Sequence, residues 1–260
     1  MTQQPDDWLL FSQDSHPSLA DSGEAHDVIA SFLPPELSRP IISLVYNPWL
    51  TARRDEVRDY RAVASTPESN DDYSIAALFL STGPIPTDPQ NLKKAIPQRI
   101  IFQTRSADQG WATFGGDGTF ENSHTWFEAS ILRPWGPNHQ QDAGDVPLEE
   151  TLASISSWDP AEARDHLRTQ GWDFVEGEDE RITWRVCNNV TAQSEFQNYE
   201  VEWRRNLATE VEDENAIGDG EGFLELLGPG CIVALWARAE QRYWVNKVQA
   251  ATIEIEYEFF

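Results

Sequence analysis

Cysteine, methionine and basic side chains are scarce in this chain. Two cysteines, Cys187 and Cys231, occur in 260 residues, and their spacing frames neither a disulfide scaffold nor a zinc site. Both thiols are expected to be reduced and buried. A single methionine leaves the core to rigid side chains. Nineteen Lys and Arg stand against 44 Asp and Glu, a formal net charge of −25. Phosphates need a basic face, so nucleic acid and an anionic membrane surface are both excluded as expected partners. No run approaches the roughly 18 apolar residues that cross a bilayer. Met1 to Asp7 lack the basic start and apolar run of a secretory signal. The expected address is therefore cytosolic or nuclear, with cytoplasmic taken first. The Asn189-Val190-Thr191 sequon is then accidental. Also missing are a P-loop, a dinucleotide fingerprint, a Gly-x-Ser-x-Gly elbow and a His-x-x-x-His pair. No cofactor and no metal are expected.

Aromatic residues are what the chain has in quantity. Eleven tryptophans are present, and several gather in two blocks. One is Asp108-Gln109-Gly110-Trp111 with His124-Thr125-Trp126-Phe127-Glu128. The other is Leu235-Trp236-Ala237-Arg238-Ala239 with Tyr243-Trp244-Val245-Asn246. Rings beside amide and carboxylate groups suit a recognition surface for sugars or flat organic ligands. They equally suit the core of a β-sandwich.

Strand signals dominate the pattern. Residues 73–80, 99–104, 126–132, 182–187, 199–203 and 231–237 read as strands. At 253–259 apolar residues alternate strictly with Glu, the sign of a half-buried antiparallel strand with Glu facing out. Alternation in 126–132 sets Trp126, Glu128 and Ser130 on one face and Phe127, Ala129 and Ile131 on the other. The apolar run 41–45 also reads as a strand. The arginine-rich stretch 51–62 reads as a short exposed helix or extended loop. The clearest helix signal starts at Asp159 as N-cap, with Pro160 next, Glu162 three residues on, and Gly171 as terminator. A short helix within 148–157 precedes it. Residues 207–222 are acidic and Gly-containing, a mobile loop by composition. Residues 1–38 read as a polar arm with one short helix, and 39–260 as a single domain. Leu33-Pro34-Pro35-Glu36-Leu37 resembles the opening of an F-box, but Pro40 disfavours the helix that would continue it, and nothing later supplies the rest of that motif. The fold class is mainly β: an antiparallel, jelly-roll-like sandwich with one or two short helices in crossover loops.

From about residue 96 onward the chain resembles a group of largely uncharacterised fungal proteins. The likeness rests on Ser106-Ala107-Asp108-Gln109-Gly110-Trp111, Thr125-Trp126-Phe127-Glu128-Ala129 and Trp184-Arg185-Val186-Cys187-Asn188-Asn189-Val190-Thr191-Ala192. It continues through Gly228 to Ala239 and Trp244-Val245-Asn246-Lys247-Val248. The group commonly has Pro-Gly-Asp where this chain has Pro229-Gly230-Cys231, and often Pro-Gly-Trp where it has Arg242-Tyr243-Trp244. More distantly, the pattern is similar to the phloem-protein-2 and F-box-associated sandwich. That resemblance implies a recognition module for glycans or glycoproteins, with ligands held in loops at one end.

Two functions follow as expectations. The first is a non-catalytic module that binds a carbohydrate, a small organic molecule or a protein partner through aromatic-rimmed loops 105–125 and 238–247. Its candidate ligand-binding residues are Asp108, Gln109, Trp111, Trp126, Trp244, Asn246 and Lys247, although alternation places Trp126 in the core and Asn246 equally suits a turn. The alternative is a cofactor-independent enzyme of secondary metabolism, a cyclase, pericyclase or isomerase that works by positioning. Its candidate catalytic residues are Glu128, Asp108 and His124. An inward Glu128 needs a cationic partner, either Arg238 or Arg133. A third possibility is a scaffold whose acidic loops engage a basic partner.

Overall fold

The structure is a computed structural model that describes residues 16–87, 95–136 and 147–259. Two antiparallel sheets face each other. Strands β1 (Trp49–Arg61), β4 (Ala95–Ala107), β9 (Gln197–Arg204) and β11 (Val245–Phe259) form the first sheet, in the order β1-β11-β4-β9. The second has β2 (Val63–Ala64), β3 (Tyr73–Ser81), β10 (Ile232–Glu240), β5 (Thr125–Pro134) and β7 (Trp172–Phe174), in that order. β6 (Ser156–Ser157) adds to β3, and β8 (Trp184–Asn188) adds to β5. Successive long strands alternate between the sheets, so the chain winds around the core as in a jelly roll. The fold is mainly β, as the sequence pattern indicates.

Alternation explains what fills the space between the sheets. Phe127, Ala129 and Ile131 of β5 and Val233, Leu235 and Ala237 of β10 point inward. They meet Ile100 and Phe102 of β4, Val201 and Trp203 of β9, and Ile253 and Ile255 of β11 in one apolar cluster. The opposite face of the second sheet is buried as well. There Leu78, Leu132, Ile232, Ala234 and Trp236 pack beneath Leu152, Ala163 and Leu167. Those three belong to the crossover that holds α3 (Leu148–Thr151), a 3-10 turn (Pro160–Ala163) and α4 (Arg164–Thr169). Asp159 caps that turn by accepting from Ala161 N–H, and Glu162 reaches back to Trp158 N–H. A sheet covered on both faces explains why β5 and β10 are apolar nearly throughout.

Four expectations need correction. Residues 41–45 belong to a helix, α2 (Pro35–Val45), which follows α1 (Leu19–Ala30) and runs across residue 38. A short apolar run has no period long enough to separate strand from helix. Pro35 opens the helix with a preset φ, and Pro40 is accommodated inside it. The stretch 51–62 is not a helix or loop: residues 51–61 form most of β1. The clue lay in spacing: Arg53 pairs with Asp55, and Glu56 pairs with both Arg54 and Arg58, two residues apart as on one strand face. The acidic loop after β9 is tied down where it meets the core. Trp203 Nε1 donates to Gly218 O, and Trp184 Nε1 to Glu221 O. No described helix is long and apolar enough to cross a membrane.

The alternation of β11 expects Glu254 to face out into solvent. It does point to the outer side of β11, yet it is 1% exposed. The segment at His16 and Pro17 lies against that face. Trp49 N–H donates to Pro17 O, and His16 stacks on Trp49 with ring centroids 4.2 Å apart. His16 Nε2 sits 3.1 Å from Glu254 Oε2, while Glu254 Oε1 has no partner among the described residues. Burial, aided by the nearby Glu200 carboxylate, pushes the Glu254 carboxyl up to about 7. Burial lowers His16 at the same time. A carboxyl whose folded value lies above its ordinary 4.5 stabilises the fold fully below that value. The contribution is lost as pH rises through about 7. Glu254→Gln cannot titrate, so it is expected to flatten the fall in Tm between these two values. Near pH 8 it should melt roughly 2–4 °C above the wild type, the scale of about 1 kcal/mol in a domain of this size. Thermal melts across pH check this; parallel curves for the two proteins would assign the titration to another group.

Candidate recognition site

Three connections meet at one end of the sandwich: 108–124 between β4 and β5, 189–196 between β8 and β9, and 241–244 between β10 and β11. The first two are laced together. Asp108 N–H donates to Gln193 O, and Asp108 Oδ2 accepts from Ala192 N–H at 2.8 Å. Gly118 N–H donates to Thr191 O, Thr191 N–H to Thr119 O, and Thr191 Oγ1 to Glu121 O. Gly116 has φ +87°, and a Cβ there would lie 2.2 Å from Glu121 O. Only glycine fits so tight a turn.

Beneath these loops lies a buried polar network. Ser106 Oγ donates to Asn189 Oδ1 at 2.6 Å. Asn189 Nδ2 donates to Thr125 Oγ1 at 2.9 Å and to Asn246 Oδ1 at 3.0 Å. Asn246 Nδ2 donates in turn to Trp126 O and Arg238 O. Thr125 Oγ1 closes the set by donating to Asp108 Oδ1 at 3.4 Å. Burial pushes the Asp108 carboxyl up to about 6, against the pull of its hydrogen bonds and the Lys247 charge. Asp108 and Asn246, both candidates for ligand contact, thus have their polar atoms turned onto the protein.

Above the network the rings form a connected row. Phe114 lies edge-on to His124 with centroids 6.2 Å apart, His124 to Trp244 at 4.8 Å, and Trp244 is tilted against Trp111 at 5.9 Å. Trp244 is 2% exposed and forms the floor, whereas Trp111 is 44% and Phe114 64% exposed. Gln109 braces the row: its Nε2 donates to Trp111 O at 2.6 Å, and its Oε1 accepts from Val245 N–H. Burial lowers His124, so its imidazole is neutral near pH 7. Lys247 is half-buried at the start of β11. Sequence reasoning missed Phe114. Its signal is an aromatic residue directly before Gly115-Gly116, on a turn too tight to fold it inward.

Glu128 and Trp126 lie elsewhere, on the outer face of the second sheet. Arg238 faces Trp126 across the β5–β10 ladder. Its Nη1 donates to Glu128 Oε2 at 2.8 Å, and Trp126 Nε1 donates to Glu128 Oε1 at 2.8 Å. Arg185 lies over the Trp126 ring at 4.3 Å. Of the two cations that sequence offered to Glu128, Arg238 is the one in place. The candidate catalytic residues are thus dispersed: Glu128 in an ion pair, Asp108 in the network, His124 in the ring row. Among the described residues no three of His, Cys, Asp and Glu group to hold a metal ion.

No family description matches this chain, and no curated protein matches it. Among solved structures it is similar to one described as the crystal structure of the decameric BFDV capsid protein. The two share 8% identity, over 82% of this chain and 98% of that one, with a TM-score of 0.29. A likeness this distant says nothing of partners or assembly.

Two substitutions separate the network from the ion pair. Asn246→Ala removes a second donor from Trp126 O and Arg238 O, which keep their ladder bonds, and leaves one donor of Asn189 without its acceptor; it is expected to cost about 1–3 kcal/mol. Glu128→Ala leaves the Arg238 guanidinium buried without its carboxylate, and is expected to cost about 3–5 kcal/mol. Urea unfolding measures both. A loss below about 0.5 kcal/mol at either site would mean that water takes over the lost partner's role.

Proposed function

We propose that this protein is a recognition module. It binds a carbohydrate, a small organic molecule or a protein partner through the ring-lined loops at one end of the sandwich. One observation carries the reading: Trp111 and Phe114 stand exposed on a loop whose backbone is fixed by hydrogen bonds to 189–193. A loop already ordered loses little entropy on binding. Large apolar surface held out in water by a rigid scaffold marks a contact surface. The likeness of the motif blocks to phloem-protein-2 and F-box-associated sandwiches supports the same reading. A cofactor-independent enzyme gains no comparable support, because the carboxylates of Glu128 and Asp108 face protein donors.

Trp111→Ala and Phe114→Ala remove exposed rings and are expected to change Tm by no more than about 2 °C. Each should weaken a ligand found by thermal-shift screening about tenfold, or ~1.4 kcal/mol. The libraries are glycans, polyketide and terpenoid metabolites, and peptides. A ligand held equally well by the wild type and both variants would place recognition at another surface.

A further inference from the structure

Several exposed or half-buried rings of this chain are covered by its own arginines, and among the described residues Trp111 and Phe114 are not. Arginines of this chain cover Trp49, Trp126, Trp135, Trp184 and Tyr243, at 4.3–5.9 Å from the ring centroid. Trp135 and Tyr243 are capped even though both are exposed. Among the described residues no cation lies over Trp111 or Phe114. Their faces are open to a cation from outside, and an aromatic face attracts one within about 6 Å.

Charge around these rings favours the same ligand. Asp117 and Glu121 lie in the loop that carries Phe114. Glu195 follows Ser194, which packs on Gly110 beside Trp111. Glu240 N–H donates to His124 O, which sets Glu240 at the base of the row. All four are exposed, and none is in an ion pair among the described residues. Arg238, Arg242 and Lys247 are nearby counter-charges in sequence and Arg185 acts on Glu240 through space, but Arg238 is paired with Glu128 and Arg242 lies on Tyr243. The whole chain carries −25. A neutral sugar, by contrast, needs fixed hydrogen-bonding side chains beside its ring. Here the amides of Gln109 and Asn246 and the carboxylate of Asp108 are engaged within the protein.

We propose that the ligand is a basic segment of a partner protein, with an arginine or lysine side chain laid over Trp111 or Phe114 and flanking positive charges set against Asp117, Glu121, Glu195 and Glu240. This inference rests on the recognition reading above and narrows it to one class of partner. Attraction between the acidic chain and a basic segment speeds encounter, and the rings give the contact its place.

The test uses the full chain and two labelled probes, nona-arginine and N-acetylchitohexaose, followed by fluorescence anisotropy at about 50 and 300 mM salt. Two variants are compared with the wild type: Trp111→Ala/Phe114→Ala, and Asp117→Asn/Glu121→Gln/Glu195→Gln/Glu240→Gln. The wild type is expected to bind nona-arginine more weakly at the higher salt. Each variant should raise its Kd about tenfold or more at either salt. Equal binding of nona-arginine by the wild type and the ring variant would reduce the attraction to diffuse charge and overturn the inference. So would no binding of nona-arginine at all. A hexasaccharide bound in its place and lost in the ring variant would overturn the inference yet keep the recognition module. If the ring variant alters the binding of neither probe, this inference falls, and the recognition reading stands or falls with the wider ligand screen. Melting curves of both variants confirm that each is folded.

Discussion

The Asn189 carboxamide is the fastening on which this end of the molecule depends. Its oxygen accepts from Ser106 at the end of β4, and its nitrogen donates to Thr125 at the start of β5 and to Asn246 on β11. One side chain thereby links both sheets. A buried amide with any of these bonds unmade costs about 1–3 kcal/mol, so the bonds hold or fail with strand register. Slipping β11 by one residue would turn Asn246 to the far face of its sheet and break the link. The apolar cluster supplies most of the driving force for folding but is less directional. The network fixes which residues stand opposite each other, and so which rings reach the surface.

The second sheet meets a different constraint. α3 and α4 cover part of its outer face, and beyond them Glu128 and Arg238 are buried as well, so these polar groups have to be paired. Trp126, Glu128, Arg238 and Arg185 answer this as a unit: a carboxylate accepts from the indole and the guanidinium, and two arginines lie over the same ring. Such a pair adds little over well-packed apolar residues, but losing either member is costly. Its structural consequence is to hold the start of β5, where Thr125 enters the network. The ion pair on the outer face and the amides between the sheets therefore anchor the same strand.

Much of this was legible in the sequence. The alternation of β5 and β10 gives the two-sheet fold, and Asp159-Pro160 with Glu162 marks the start of the crossover helix. The pairing of Glu128 with Arg238 follows once Glu128 is placed on a covered face. What the sequence hid depends on contacts distant along the chain. Glu254 reads as a surface residue in a strict alternation, yet the His16 segment, more than two hundred residues away, lies against it. The helix over 41–45 was hidden because four apolar residues around Ser43 fit either period. At the site, Asp108, Gln109 and Asn246 stand beside tryptophans in sequence as a ligand's partners would. Identical residue types serve to tie a loop to its neighbours, and sequence alone does not say which way an amide turns.

That ambiguity has a physical basis. A recognition loop must hold its rings in water and also satisfy every backbone group that its tight turns expose. Water can meet the second need only by leaving the loop mobile, which raises the entropic cost of binding. Here Asp108 and the amides of Gln109, Asn189 and Asn246 are engaged on the loops and strand ends, while Asp117, Glu121, Glu195 and Glu240 stay exposed around the rings. What remains to attract a ligand is the quadrupole of each ring and the negative charge around it. Neither is strongly directional, and both favour a cation. On the proposed reading, geometric precision resides in the scaffold and ligand preference in charge.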